Sequence, residues 1–126
     1  MNFNMSSEKQ FSTWLMKRLN ERGHAQRIET TTGNGVPDIN WAVGGKECWI
    51  ETKIGCLDHV LLRKEQFAWG TRRIAAGGNV RVFAYCPAHD NISIFVFPLL
   101  VKVHGKYLRI VSEPYATTPR SSFKLV

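Results

Sequence analysis

Two segments in which apolar and polar residues alternate flank the pair Gly44-Gly45, and this arrangement constrains the fold more than any other feature of the sequence. A period of two predicts amphipathic strands, and glycine accepts the positive φ angles of a two-residue hairpin turn. The side chains predicted to face a core are Ile39, Trp41, Val43, Cys48, Ile50, Thr52 and Ile54. The sequence therefore predicts an antiparallel hairpin with one buried face.

Helical patterns lie before and after this hairpin. Over residues 6–22 apolar side chains recur at three- and four-residue steps, which predicts an amphipathic helix that Ser6 or Ser7 could cap. A second helix is predicted over residues 62–76, with Gly77-Gly78 as its stop. Further extended segments are predicted at residues 24–32, 80–85, 92–97 and 107–111, with a turn at 33–35 and loosely ordered chain from about residue 114.

This order of elements predicts an α/β fold, in which one domain contains a mixed β-sheet flanked by helices. The length of 126 residues fits a single domain, and no repeat or Pro- and Gly-rich linker divides it. The predicted core spans about residues 6–97, and residues of about 98–126 form a C-terminal extension.

Charge and composition narrow the class of partner. The 17 basic and 10 acidic residues give a net charge of +7, which favours a polyanion such as nucleic acid. We expect no membrane partner and a cytoplasmic location, because no apolar stretch could cross a bilayer and residues 1–10 do not resemble a secretory signal. Cys48, Cys56 and Cys86 lack CxxC spacing, so reduced and partly buried thiols are expected.

Asp38 and Glu51 are predicted to meet across the hairpin. If the strands turn symmetrically about Gly44-Gly45, Val43 faces Lys46, and counting outward places Asp38 opposite Glu51. Opposed side chains in an antiparallel pair have Cβ atoms about 5 Å apart, and two like charges there are destabilising unless something neutralises them. A hard divalent cation with oxygen ligands is the simplest neutralising agent, so the pair predicts a site for Mg²⁺ or Mn²⁺.

Lys53 is predicted to share this face, because it lies two residues beyond Glu51 on the same strand. A metal that activates water, with an ammonium group beside it, is what phosphodiester hydrolysis requires. The backbone carbonyl of Thr52 could supply a further metal ligand. Asp38, Glu51 and Lys53 are therefore the candidate catalytic residues.

The candidate catalytic residues fall within a known sequence pattern. Residues 35–38 (GVPD) and 50–53 (IETK) resemble the PD and (D/E)XK half-motifs of the nuclease superfamily that includes restriction endonucleases and Holliday-junction resolvases. A closer resemblance is to the VRR-NUC branch and its small phage-type, resolvase-like members, and it covers residues 8 to about 85. The later residues that match this branch are Gln66, Phe67, Trp69, Gly77-Gly78 and Val80-Arg81-Val82.

The resemblance implies a restriction-endonuclease-like core and a metal-dependent deoxyribonuclease, selective for branched DNA if the protein acts as the resolvases do. It implies that Glu8 on the first helix completes the metal site and that Gln66 assists catalysis by holding the attacking water or a phosphate. A homodimer is expected by similarity to the resolvases. The loop after the ExK strand, residues 54–58, departs from the Gly- and Pro-rich loop usual in this branch and leaves the substrate subclass open.

Basic residues near the second helix are predicted to contact the DNA backbone; they are Arg63, Lys64, Arg72 and Arg73. An ordinary solvated face is the alternative for this group. Trp49 could stack on a base, although an aromatic residue on a sheet more often packs in the core. For the whole chain the alternatives are a nuclease-fold DNA-binding accessory protein without catalysis, and a basic module that binds proteins.

Overall fold

The computed structural model describes residues 5–29, 34–123 and 125, and the chain folds as helices packed on β-sheets. In chain order the elements are α1 (Glu8–Asn20), β1 (His24–Arg27), β2 (Ile39–Val43), β3 (Lys46–Ile54), β4 (Leu61–Arg63), α2 (Lys64–Ala75), β5 (Val80–Cys86), β6 (Asn91–Val96), β7 (Val101–His104), β8 (Tyr107–Ile110), β9 (Ala116–Pro119) and a short 3₁₀ helix (Arg120–Ser122). In the described part of the chain, no helix is long and apolar enough to span a membrane.

The main sheet has six strands in the order β1-β2-β3-β5-β6-β9, and a small second sheet has the order β4-β8-β7. The β3–β5 pair is parallel and the other neighbours in the main sheet are antiparallel, so this sheet is mixed as predicted. Apolar side chains of α1 join one buried cluster, and the partly buried aromatic residues of α2 pack against a second. The predicted α/β fold with a mixed sheet flanked by helices is confirmed.

The hairpin has the predicted register. Val43 pairs with Lys46 and Ile39 pairs with Ile50 across the β2–β3 ladder. Both turn glycines adopt positive φ, at 59° for Gly44 and 78° for Gly45, which explains why glycine occupies these positions. Because the ladder is continuous, the residue just before β2 stands next to the middle of β3.

Helix α1 begins where its cap predicts. The Ser7 hydroxyl accepts a hydrogen bond from the Gln10 backbone N–H at 3.1 Å, so Ser7 is the N-cap and Glu8 is the first helical residue. Phe11, Leu15 and Leu19 are fully buried against the sheet. The apolar face of α1 therefore fixes the direction in which its first residue points.

Two sequence predictions about secondary structure are wrong, and two further points differ in extent. The second helix begins at Lys64 rather than at residue 62, because residues 61–63 pair with β8 and Leu62 is fully buried there. Residues 116–119 are not loosely ordered; they form β9, which pairs with β6. Strand β7 was not predicted at all, and of the predicted segment 24–32 only His24–Arg27 is a strand, with residues 30–33 outside the described residues.

Cys56 and Cys86 form a disulfide, so the prediction that both are reduced thiols is wrong. Cys56 lies just beyond the end of β3 and Cys86 is the last residue of β5. The parallel pairing of these two strands brings together residues that are 30 positions apart, which no spacing motif records. Cys48 is a buried free thiol, as expected.

Candidate active site

The predicted catalytic residues converge where β3 approaches the chain that enters β2. Asp38 Oδ2 accepts two hydrogen bonds from Thr52, at 3.0 Å from the backbone N–H and at 2.7 Å from the hydroxyl. Thr52 is buried, so this double contact fixes the carboxylate of Asp38 against the middle of the sheet. The side chain of Thr52 thus positions Asp38, and a role for its backbone carbonyl stays a prediction.

Glu51 is 4% exposed and its two oxygens have different surroundings. Oε2 accepts a hydrogen bond from Gln66 Nε2 at 3.0 Å and lies 4.0 Å from Lys53 Nζ. Oε1 is buried and has no hydrogen-bond partner among the described residues. A buried carboxylate oxygen without a partner is costly, so this atom is the natural place for a ligand to bind.

The electrostatics of the site favour added positive charge. Burial, the largest cause, and the charge of Asp38 together raise the pKa of Glu51 to about 9, while Lys53 opposes the shift. Glu8 adds a smaller effect of the same sign. A buried acid whose ionisation is disfavoured beside a second carboxylate indicates a site that a cation would stabilise.

Glu8 belongs to the same site. It lines a cleft of about 490 Å³ together with Asp38 and Thr52. Burial raises the pKa of Glu8, and the charge of Asp38 raises it as well, whereas Lys53 and Arg63 lower it. The first residue of α1 is therefore within electrostatic reach of the groups on β3.

Gln66 occupies the first turn of α2, and both ends of its amide are engaged. Oε1 accepts from the Arg63 backbone N–H at 2.9 Å, while Nε2 donates to Glu51. The GVPD turn packs on the same helix end: Gly35 has φ of 81°, and a Cβ there would collide with the Glu65 carbonyl. Gln66 thus holds Glu51 in place, and because the NH₂ group has a second N–H, its role toward a water or phosphate stays a prediction.

The oxygen donors of the site suit a divalent metal that keeps part of its water shell. Nowhere in the described ranges do three or more His, Cys, Asp or Glu side chains form a ready-made metal cage. Mg²⁺ is usually held by one or two carboxylates and keeps several of its waters, so a full cage is not required. The unpartnered Oε1 of Glu51, with Asp38 beside it, fits such a cation.

Comparison with solved structures identifies the fold. The chain is similar to Hjc, a Holliday junction resolvase from the archaeal hyperthermophile Archaeoglobus fulgidus, with a TM-score of 0.62 and 21% sequence identity over 83% of this chain and 84% of that chain. The fold is restriction-endonuclease-like. No protein-family model matches the sequence, and no curated protein matches it.

Within this restriction-endonuclease-like fold the four predicted DNA-contacting residues are separated into two pairs. Arg63 and Lys64 stand at the start of α2, and the charge of Arg63 reaches Glu8. Arg72 and Arg73 lie in the last turn, roughly 14 Å further along a helix that rises 1.5 Å per residue. Of these four residues, Arg63 is the one whose charge is shown to reach a residue of the site.

Arg73 and Trp49 belong to an aromatic cluster instead. The guanidinium of Arg73 lies 4.5 Å from the Trp69 ring centre and 5.3 Å from that of Trp49, and the two rings meet edge to face at 5.2 Å. Trp49 is half-buried against the second core cluster. Its packing agrees with the interpretation of Trp49 as a core residue.

Proposed function

We propose that the protein is a metal-dependent deoxyribonuclease that hydrolyses phosphodiester bonds and selects branched DNA. One observation carries this proposal: the buried Oε1 of Glu51 lacks a partner beside a second carboxylate, Asp38, in a restriction-endonuclease-like fold. A buried carboxylate beside a half-buried one is suited to a hard cation rather than to a stable apolar core.

Asp38 and Glu51 would hold Mg²⁺ or Mn²⁺, with Glu8 and the backbone carbonyl of Thr52 as further ligands. When bound, such an ion lowers the pKa of a water and polarises a phosphoryl oxygen. The Lys53 side chain is only 12% exposed and stands 4.0 Å from Glu51, so its ammonium is held ready to offset charge on the phosphate. Gln66 would keep Glu51 oriented.

The N-termini of both helices favour the binding of a phosphate at the candidate active site. Helix α1 begins at Glu8 and α2 begins at Lys64, and both first turns contribute to the site. Backbone N–H groups at a helix N-terminus and the positive end of the helix dipole attract anions. Arg63 and Lys64 would contact the backbone beside the cut, and Arg72 and Arg73 would contact it further away.

Selection of branched DNA rests on the resemblance in structure to Hjc, which is a Holliday junction resolvase. A junction has two strands to cut, so a homodimer would present one site to each. A net charge of +7 suits the dense phosphates of a junction. A cytoplasmic location stays a prediction, and the Cys56–Cys86 disulfide would be unusual in a reducing compartment.

Cleavage of labelled linear, nicked, flap and four-way-junction DNA tests the proposal. The wild-type protein is compared with Lys53→Ala and Asp38→Ala. Each protein is assayed with Mg²⁺, with Mn²⁺ and with chelator. Lys46→Ala, at an exposed residue beside the hairpin turn, serves as the control. We expect wild type and the control to cut the junction in a metal-dependent way and both site variants to be inactive. If no form of DNA is cut by the wild-type protein, the catalytic proposal fails.

The alternative, a DNA-binding accessory protein without catalysis, also has one observation in its favour. Glu51 Oε2 already has partners in Gln66 and Lys53, so part of this network is satisfied without any ligand. Tight binding to junctions without cleavage in any metal, unchanged by Asp38→Ala, would support this alternative.

A further inference from the structure

The small sheet has an outer face for which the proposed catalytic site gives no reason. Residues directly opposite each other in antiparallel strands point to the same side. The pairing gives one row of Arg63, Tyr107 and His104 and a second row of Leu61, Arg109 and Lys102. One side of β4, β8 and β7 therefore combines three cationic residues with a tyrosine and a histidine.

The opposite side of this sheet is the one that faces the core. Leu62 and Ile110 are buried, and Val101 packs against the same apolar cluster. Because side chains alternate along a strand, this orients the row residues away from the core. Lys102 and His104 are exposed and Arg109 is half-buried, in agreement with an outer face.

Among the described residues, no ion pair involves a cation of this face. The ion pairs that the described residues form involve Arg18, Lys53 and Arg120 instead. Lys106 in the β7–β8 turn adds another charge, 5.6 Å from the Tyr107 ring. Arg109 donates to the backbone carbonyl of Asp58 at 3.4 Å, which brings that acidic residue to the edge of the face.

The face is continuous with the candidate active site. Arg63 ends one row and is followed directly by α2, whose third residue, Gln66, holds Glu51. The His59 ring, in the loop that leaves the Lys53 strand, meets the His104 ring edge to face at 5.2 Å. A ligand that enters the catalytic cleft can therefore extend over this sheet.

We propose that the outer face of the small sheet binds the phosphate backbone of a DNA duplex arm adjacent to the strand that is cut. This inference rests on the proposed function. Neighbouring strands lie about 4.8 Å apart and alternate residues about 6.8 Å apart, so the cations cover on the order of 10 Å. That is the length of about three successive phosphates on one strand, and the Tyr107 hydroxyl can add a hydrogen bond to a phosphate or sugar.

Salt-dependent binding tests this surface without cleavage. Fluorescence anisotropy would measure the affinity of Lys53→Ala protein for a labelled four-way junction, in chelator, over roughly 50 to 300 mM salt. The variant Lys102→Ala/Arg109→Ala is compared with Arg22→Ala/Lys46→Ala, which removes the same charge from exposed residues elsewhere. We expect the face variant to lose on the order of tenfold in affinity at low salt, and its slope of log affinity against log salt to fall by about 2.

A charge transposition separates the face from total charge. Val103 is 74% exposed and follows Lys102, so its side chain points to the other side of β7. In Lys102→Ala/Val103→Lys the net charge is kept, and we expect binding as weak as in Lys102→Ala alone. Recovery of parental affinity in this variant would overturn the proposal, as would an unchanged slope in Lys102→Ala/Arg109→Ala.

The two proposals fail separately in these experiments. Loss of binding in the face variant supports the surface whether or not the wild-type protein cuts DNA. Cleavage by the wild type together with unchanged binding by the face variant removes the surface and leaves the nuclease. Thermal melts that match the parent protein show that each variant is folded.

Discussion

Gln66 donates from its amide Nε2 to Glu51 Oε2 at 3.0 Å, and this bond joins the first turn of α2 to a carboxylate buried on β3. The other oxygen of Glu51, Oε1, has no partner in the part of the chain that the structure describes. The protein therefore holds one oxygen of this side chain and leaves the other for a ligand.

Removing the amide should loosen Glu51 and weaken metal binding. We predict that Gln66→Ala raises the metal concentration needed for half-maximal cleavage by about 10- to 100-fold, the usual effect of losing a group that orients a ligand. A metal titration of junction cleavage measures this change. Gln26→Ala, on an exposed position of β1, is the matched control and should leave the titration unchanged.

Glu51 should make the metal-free protein less stable as the pH rises. Its pKa is raised to about 9 by burial and by Asp38, whereas in the unfolded chain it ionises near its ordinary value of 4.5. Between these values the unfolded state binds fewer protons, so the free energy of unfolding falls with pH, by on the order of 1 kcal/mol per pH unit.

The variant Glu51→Gln removes this titration. In urea denaturation with chelator, we predict that Glu51→Gln gains stability relative to wild type between about pH 5 and about pH 8. The comparison of the two proteins cancels the titration of all other groups. Parallel pH profiles for wild type and Glu51→Gln would show that Glu51 ionises normally in the folded protein.

Gly35 is predicted to be indispensable to the site for two reasons that can be separated. It has a positive φ, and a Cβ there would collide with the Glu65 carbonyl and would lie 2.7 Å from the backbone nitrogen of Gln66. Gly35→Ala should therefore cost more than the roughly 1 to 2 kcal/mol of left-handed strain alone, and it should also lower cleavage. Urea denaturation and the junction assay measure the two effects.

Gly105 provides the control for backbone strain. It too has a positive φ, 61°, but a Cβ there would meet nothing within 4 Å. Gly105→Ala should show the strain cost and keep full activity. Equal destabilisation by both substitutions would mean that the GVPD turn does not pack on α2 as described.

Reduction of the Cys56–Cys86 bond should destabilise the protein substantially. The bond closes a loop between residues 30 positions apart. Chain-entropy arguments give roughly 3 to 4 kcal/mol for a loop of this length. Urea midpoints with and without dithiothreitol measure the loss; Cys56→Ser/Cys86→Ser should be insensitive to the reductant, and Cys48→Ala should remain sensitive.

The hairpin could be predicted from sequence because its information is local. Two alternating segments and one glycine pair determine the register, and the structure shows Val43 opposite Lys46 as expected. The same count predicted that Asp38 approaches Glu51, since strand periodicity transmits a turn position over several residues. Helix α1 was predictable for the same reason, with Ser7 as its cap.

Contacts between segments that are distant in sequence could not be predicted from such local patterns. Residues 61–63 form a strand only because β8 lies beside them, and the Cys56–Cys86 pair meets only through the parallel β3–β5 alignment. The basic face of the small sheet depends on three strands, one of which, β7, is a four-residue alternation of apolar and polar side chains that was not predicted. Arg63 and Arg72 are separated because about nine residues of helical rise lie between them.

Strand β9 has a consequence for solubility. It covers the outer edge of β6, a strand whose middle four residues are buried, and Pro119 ends it. A proline and a short length discourage edge-to-edge pairing between molecules. A chain shortened to residues 1–113 would expose the backbone of β6 to other molecules, so the C-terminal segment protects the folded protein against aggregation.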